Sequence, residues 1–282
     1  MSVLSESLAR LFNHAYRSPT PPVFAVGTGR CGTHFLQRIL DGHEAVLSQH
    51  MPCMDEDSFH RYCVWNELPV DHAAFVESVR RRVAAASEQG KVYFEANSYF
   101  SFSIPLLSRA FDAKWVFVIR NPTDVVNSHV VKGWYENAIV REDAERAPGF
   151  QPGQAVNHTF GRILPRGAEF HRWRELTQIG KLAWMWNAVN LRIAEQLRSV
   201  PGKHKRQYKI EELDYHAYQD LFDFVGGKGP ISEDTFKAIR SERPAKGRQR
   251  KSAEDWSRRE REEFLRETEK GREVFGYEMG DV

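Results

Sequence analysis

Gly27-Thr28-Gly29-Arg30-Cys31-Gly32-Thr33 sets three glycines beside an arginine and a hydroxyl. The apolar run Val23 to Val26 precedes it, and Phe35, Leu36, Ile39 and Leu40 follow on one helical face. A loop that joins a strand to a helix turns backbone N–H groups and the helix N-terminus toward one point, which suits an anion. Glycines let a phosphate or sulfate approach the backbone. The Thr33 hydroxyl adds a donor, and the Arg30 guanidinium can fork onto two anionic oxygens.

Three chemistries compete for such a loop. A nucleoside triphosphate loop requires GxxxxGK followed by Ser or Thr, but Gly32 is followed by Thr33 and His34, with no lysine for a β- or γ-phosphate. A dinucleotide fold is the stronger rival, because Gly27, Gly29 and Gly32 satisfy GxGxxG. That fold expects an acidic residue about 20 positions later, where this chain has Gln49, His50 and Met51. A phosphatase reading of Cys31 fails because Gln37 stands where C-x5-R needs its arginine. An electropositive loop lowers a thiol pKa, yet Cys31 reads here as a small loop residue.

The elements that must position these residues alternate. Strands are predicted at Val23 to Val26, Ala45 to Leu47, Val92 to Phe94, Trp115 to Ile119 and Tyr208 to Ile210. Helices are predicted at Thr33 to Leu40, Phe75 to Ala86, Pro105 to Phe111, Leu182 to Leu197 and Leu213 to Val225, with a charged one ending near Tyr277. Leu4, Leu8, Leu11 and Phe12 suggest a short N-terminal helix that packs on the rest. Strand-helix alternation specifies an α/β fold, a central parallel sheet flanked by helices in three layers, with ligands beyond the carboxyl ends of the strands. The 282 residues are read as a single domain. Residues 141–180 break the rhythm with scattered Pro and Gly, and read as an excursion over the site, a substrate lid bearing Phe150, Phe160, Phe170 and Trp173.

The loop GTGRCGTHFL resembles the 5′-phosphosulfate loop of sulfotransferases, roughly G-x-x-R/K-x-G-T-S/T. Val116 to His129 resembles the 3′-phosphate motif of the same family: a buried strand delivering arginine, an Asn-Pro turn, then a helix carrying serine. Tyr208 to Leu213 resembles its late Y-E-x-L strand. Arg248-Gln249-Arg250-Lys251-Ser252 before Trp256 resembles its C-terminal R-K-G loop, with Ser252 in place of glycine. The resemblance covers about Pro22 to Lys132 and Lys205 to Tyr277. It implies a P-loop-like sulfotransferase that moves a sulfuryl group from 3′-phosphoadenosine 5′-phosphosulfate to an acceptor hydroxyl or amine, without a metal.

On that resemblance the donor contacts are Gly29, Arg30, Cys31, Gly32, Thr33, His34, Arg120, Ser128, Arg250 and Lys251, with Arg30 stabilising charge on the leaving phosphate. The competing reading of Arg120 is a structural salt bridge at a strand end. A base must also take the acceptor's proton. His50 is the first candidate, Glu95 the second and His129 the third. The departures at Met51, Glu95 and Asn97 keep open a nucleotide-binding module without turnover, beside the NAD(P)-dependent oxidoreductase that GxGxxG leaves possible. Likeness to the carbohydrate branch of the family tips the acceptor toward a sugar or other alcohol.

The balance of 40 basic against 38 acidic side chains gives no broad basic face for nucleic acid, so any anion site is local. Three irregularly spaced cysteines make no disulfide framework, and the sequence carries no long apolar span or signal-peptide core. The expectation is a cytoplasmic protein. The sequence leaves its oligomeric state open.

Overall fold

Short runs of β-branched and aromatic residues form a five-stranded sheet whose neighbours all pair in parallel. The computed structural model describes residues 20–136, 155–242 and 253–278. The strands are β1 (Val23–Val26), β2 (Val46–His50), β3 (Val92–Ala96), β4 (Lys114–Ile119) and β5 (Lys205–Lys209), in the order β2-β3-β1-β4-β5. The parallel α/β architecture read from the sequence is the one the chain forms. The order also bears on the dinucleotide alternative, since a dinucleotide fold places its second strand beside its first. Here β3 occupies that place.

Both faces of the central strands are apolar, as a sheet covered on each side requires. Phe24, Val26, Trp115, Phe117 and Ile119 face one helical layer, while Val23, Ala25, Val116 and Val118 face the other. The helices are α1 (Thr33–Leu40), α2 (Met54–Asn66), α3 (His72–Glu88), α4 (Ile104–Phe111), α5 (Pro122–Val130), α6 (Val156–Phe160), α7 (Ala168–Arg174), α8 (Gln178–Leu197), α9 (Tyr215–Val225), α10 (Glu233–Ser241) and α11 (Arg258–Phe275). The first layer is built chiefly from α3, α4, α8 and α11, the second from α1, α9 and α10.

The segment expected as a lid divides. Residues 137–154, with Phe150, lie outside the described residues, as does the predicted N-terminal helix. From Ile163 onward the chain enters the first layer: Phe170 is 4% exposed and Trp173 0%, both inside the core rather than over a site. Phe160 alone of the described lid aromatics stays near the surface, its ring edge on Phe59.

α2 was not predicted. It buries Asp57, Ser58, His60 and Arg61 beside Tyr62 and Cys63, so no continuous apolar stripe marks it. Asp57 belongs to a charged cluster against β3. Arg82 of α3 donates from Nη1 to Asp57 Oδ2 (3.0 Å) and Glu95 Oε1 (3.0 Å), and from Nη2 to Asp57 Oδ1 (3.1 Å). Asn97 Nδ2 donates to the same two carboxylates, each at 2.7 Å, and Tyr93 donates to Glu95 Oε2 at 2.5 Å. Asn97 Oδ1 meanwhile accepts from Tyr99 N and so caps the short 3-10 turn Ser98–Phe102. The cluster thereby fixes the backbone that follows β3.

Two carboxylates share one guanidinium here. Burial raises the Glu95 carboxyl above its ordinary range and Asp57 adds to the rise, while Arg82 and the hydrogen bonds from Tyr93 and Asn97 oppose it. A carboxyl raised in the folded state stabilises most below its unfolded pKa, and that contribution is lost as pH rises through the folded value. The isosteric Glu95→Gln variant is therefore expected to lose less stability than the parent between pH 5 and 8, by about 1.4 kcal/mol per unit of pKa separation removed. Arg82→Met, which strands both acids, is expected to cost about 3 to 5 kcal/mol. Urea unfolding of the two variants across that pH range checks both.

Candidate functional site

β1 and β4 are adjacent, so the chain leaving each emerges at the same edge of the sheet. The turn after β1 is held in a conformation that most residues avoid: Gly29, Arg30 and Gly32 have φ of 76°, 56° and 104°. Glycine at 32 is required twice over, because a Cβ there would lie 2.5 Å from Ile210 Cγ1. Thr28 Oγ1 donates to Gly29 O at 2.9 Å, and Gly32 leads straight into α1. After β4, Asn121 Oδ1 accepts from Thr123 N at 2.8 Å and Pro122 starts α5, which fixes where Ser128 and His129 sit. Trp186 of α8 donates to Arg120 O at 3.0 Å and holds the strand end.

The two turns meet. Arg30 Nε donates to Ser128 Oγ at 2.8 Å, and Arg120 Nη1 donates to Arg30 O at 3.2 Å. Arg120 also forks onto Asp124 Oδ2 through Nε (3.1 Å) and Nη2 (2.6 Å), so the salt bridge weighed from the sequence is present as well. Glu211 closes this side, accepting from Asn121 N at 2.6 Å and from Tyr277 Oη at 3.3 Å.

Above these residues opens a cavity of about 710 Å³. Of the residues expected from the sequence, Gly29, Arg30, Gly32, Thr33, His34, His50 and Arg120 line it, and His129 does too. Ser128 stands just behind the wall, joined to it through Arg30. Cys31 points the other way. It is fully buried in the second layer, where burial raises its thiol pKa, so it contributes backbone only. Glu95 is also not on the wall: its carboxylate is committed to Arg82, Asn97 and Tyr93 on the α3 side of the sheet. Its candidacy as a base is corrected on that geometry. Arg250 and Lys251 lie outside the described residues, but the chain on either side is anchored nearby: Glu242 lines the cavity, and Trp256 Nε1 donates to Asn127 Oδ1 of α5 at 3.2 Å.

The imidazoles differ in availability. His50 is half-buried at the end of β2, its Nε2 3.4 Å from Thr33 Oγ1 and its ring 5.1 Å from that of His34. Burial, then His34 and Arg30, lower it to about 4, so at neutral pH it is an uncharged proton acceptor. His129 is lowered to about 3, chiefly by burial. Its Nδ1 lies 2.9 Å from Val125 O and donates there, which leaves Nε2 as the acceptor.

Sequence reasoning missed part of the cavity lining: Met51, Met54, Ser98, Tyr99, Trp134 and Asn157 belong to it, as do Arg38 and Arg240. Met51 carried a signal of a kind only coordinates reveal, a left-handed φ of 44° in a residue other than glycine. Arg240 had none: it sits in an ordinary amphipathic helix and reaches the site by donating to Glu211 O at 3.0 Å. Among the described residues no group of His, Cys, Asp or Glu is placed to hold a metal ion, and no helix is long and apolar enough to cross a membrane.

No family model and no curated protein matches this chain. Solved structures do. The sulfotransferase domain of the Synechococcus olefin synthase is similar at 15% identity and a TM-score of 0.47, over 94% of this chain and 97% of that one. A sulfotransferase domain from the curacin biosynthetic pathway is similar at 12% identity and 0.46, over 92% and 98% respectively. A sulfotransferase from Alicyclobacillus acidocaldarius is similar at 18% identity and 0.46, over 92% and 97%.

The His50 imidazole is expected to titrate by NMR with a midpoint near 4, and His34→Gln, which removes a neighbour that disfavours its charge, is expected to raise that midpoint.

Proposed function

We propose that the chain is a sulfotransferase, taking a sulfuryl group from 3′-phosphoadenosine 5′-phosphosulfate to an acceptor hydroxyl or amine. The observation that carries this reading is the hydrogen bond from Arg30 Nε to Ser128 Oγ at 2.8 Å. It joins two anion-suited turns that lie far apart in sequence, and one ligand with phosphates at its 5′ and 3′ positions uses both. The residues fit such a donor. The left-handed turn of Gly29 to Gly32 brings backbone N–H groups to the opening of α1, where anions are favoured. Arg30 and Arg120 supply guanidinium forks, and Arg120 is 21% exposed, open to a ligand from the cavity side.

The donor supplies an activated sulfuryl group, and transfer needs the acceptor oxygen and the leaving phosphate oxygen in line. Positioning and charge stabilisation are the protein's share. Arg30, Thr33 and the turn's N–H groups stabilise charge on the leaving 5′-phosphate. His50, on the wall beside Thr33 and neutral at working pH, takes the acceptor's proton. An anion on Arg30 offsets one of the charges that depress its pKa, which makes His50 a better base once the donor is bound. Arg120 and Ser128 hold the 3′-phosphate, with Arg250 and Lys251 as further donor contacts.

Calorimetry with adenosine 3′,5′-bisphosphate tests the reading. Arg120→Ala is expected to bind it about 10- to 100-fold more weakly, the size of one lost charge-assisted contact, and Ser128→Ala about 3- to 10-fold. NAD is expected to give no heat. Unchanged affinity in Arg120→Ala would overturn the assignment.

A further inference from the structure

Part of the cavity lining has a chemistry of its own. Met51 and Met54 bring two thioethers to it, Trp134 and Tyr99 bring aromatic faces, and the polar groups there are already engaged with one another. Tyr99 Oη accepts from Asn157 Nδ2 at 3.2 Å, and Ser98 Oγ donates to Met51 Sδ at 3.6 Å. A sugar has a hydroxyl on nearly every carbon and needs converging free donors and acceptors, because unpaired polar groups in a closed site cost affinity. This wall offers few.

The apolar character continues outside the mouth. Among the described residues, five large hydrophobic side chains are exposed: Met54 at 44%, Phe59 at 46%, Leu68 at 38%, Val156 at 44% and Val274 at 53%. Three of the five, Met54, Phe59 and Val156, belong to the packed pair α2 and α6. Asn157 Nδ2 lies 3.9 Å from Met54 Sδ, and Phe59 and Tyr62 both meet the Phe160 ring, at 5.2 and 5.0 Å. Exposed apolar side chains scattered singly need no explanation, but a strip continuous with a cavity marks what the cavity binds. Met54 lines the cavity, and Phe59 lies about 7.5 Å farther along α2, where it and Met54 both meet α6. Met51, held in a left-handed conformation, also lines the cavity, and methionine adapts its shape to chains of varied outline.

We infer that the acceptor is an amphiphilic alcohol with an extended apolar body, whose hydroxyl reaches His50 while its chain lies over Met51, Met54, Phe59 and Val156. The inference rests on the sulfuryl-transfer reading and replaces the sugar that family likeness alone favoured. In the step the alcohol oxygen bonds to sulfur, and the bond from sulfur to the 5′-phosphate oxygen breaks. The hydroxyl proton passes to His50, leaving an alkyl sulfate and adenosine 3′,5′-bisphosphate.

The test measures both turnover and binding. The full chain is given the phosphosulfate donor with 1-butanol, 1-hexanol, 1-octanol, 1-decanol or methyl glucoside, and sulfated product is quantified by mass spectrometry. Binding of the same acceptors is measured by calorimetry with adenosine 3′,5′-bisphosphate present. The expected result is a specificity constant that rises about fourfold per methylene until these side chains are covered, with that slope flattened in Met54→Gln and Phe59→Ser, two exposed positions, each variant first checked for an unchanged melting temperature. Preference for the glucoside, or a slope indifferent to chain length, would overturn the inference and leave sulfuryl transfer standing. Chain-length-dependent binding that the two variants abolish, without turnover of any acceptor, would uphold the apolar site and count against the sulfuryl-transfer reading instead. Absence of both binding and turnover for every alcohol overturns the inference.

Discussion

The site depends on one constraint: β1 and β4 are hydrogen-bonded neighbours running in the same direction, so the turns that follow them open onto one edge. Everything at the cavity's anionic end follows from that adjacency. The left-handed turn at Gly29 to Gly32 draws the Arg30 backbone close enough for Arg120 to donate to its carbonyl, and extends the Arg30 side chain to Ser128. A bulkier residue at position 32 would push Ile210 away and swing the start of α1 with it. The arginines are therefore placed by backbone geometry before any ligand arrives, which lowers the ordering cost of binding.

The opposite wall is placed by different physics. The buried group of Asp57, Arg82, Glu95 and Asn97 cannot be explained as a stabilising ion pair alone, since buried charges usually do little better than well-packed apolar residues. Its effect is positional. It ties α2 and α3 to the end of β3, and through the Asn97 cap it sets the turn that carries Ser98 and Tyr99 into the cavity. Met54 begins the same helix that supplies Asp57, so this wall of the cavity and the buried charges share one support.

Much of this was legible in the sequence where a residue's local pattern matched its tertiary fate. The glycine turn, the arginine at the end of a wholly apolar strand and the Asn-Pro helix start all read correctly, because strand, turn and cap chemistry are local. α2 was invisible because polar and charged residues interrupt its inner face, and periodicity registers only apolar stripes. β5 was read as starting three residues late because an edge strand carrying Lys205, Arg206 and Lys209 has the composition of a loop. Glu95 appeared to be a base because it lies near a strand's end. Side-chain alternation along β3 turns it to the α3 side, which no count of residues could reveal without the pairing register. Phe170 and Trp173 seemed to belong to a lid because prolines and glycines surround them, but tertiary burial overrode that local signal.

The electrostatics of the cavity explain how a chain with a net charge of only +2 holds a cluster of arginines without broad repulsion. Three of the cations lining the cavity have internal partners that hold them: Arg120 has Asp124, Arg38 has Glu242, and Arg240 donates to backbone carbonyls of Leu213 and Glu211. An incoming phosphate on Arg120 therefore competes with Asp124 rather than filling a bare positive pocket. Asp124 is 48% exposed, so its release into water costs little, whereas Arg120 is half-buried and gains most from a partner with two negative charges. On the proposed reading, that exchange would favour a dianionic phosphate over singly charged anions, because the stronger charge better offsets the contact given up. On the same reading, selectivity for a phosphorylated nucleotide would be set by the carboxylate that occupies Arg120 beforehand as much as by the arginine itself.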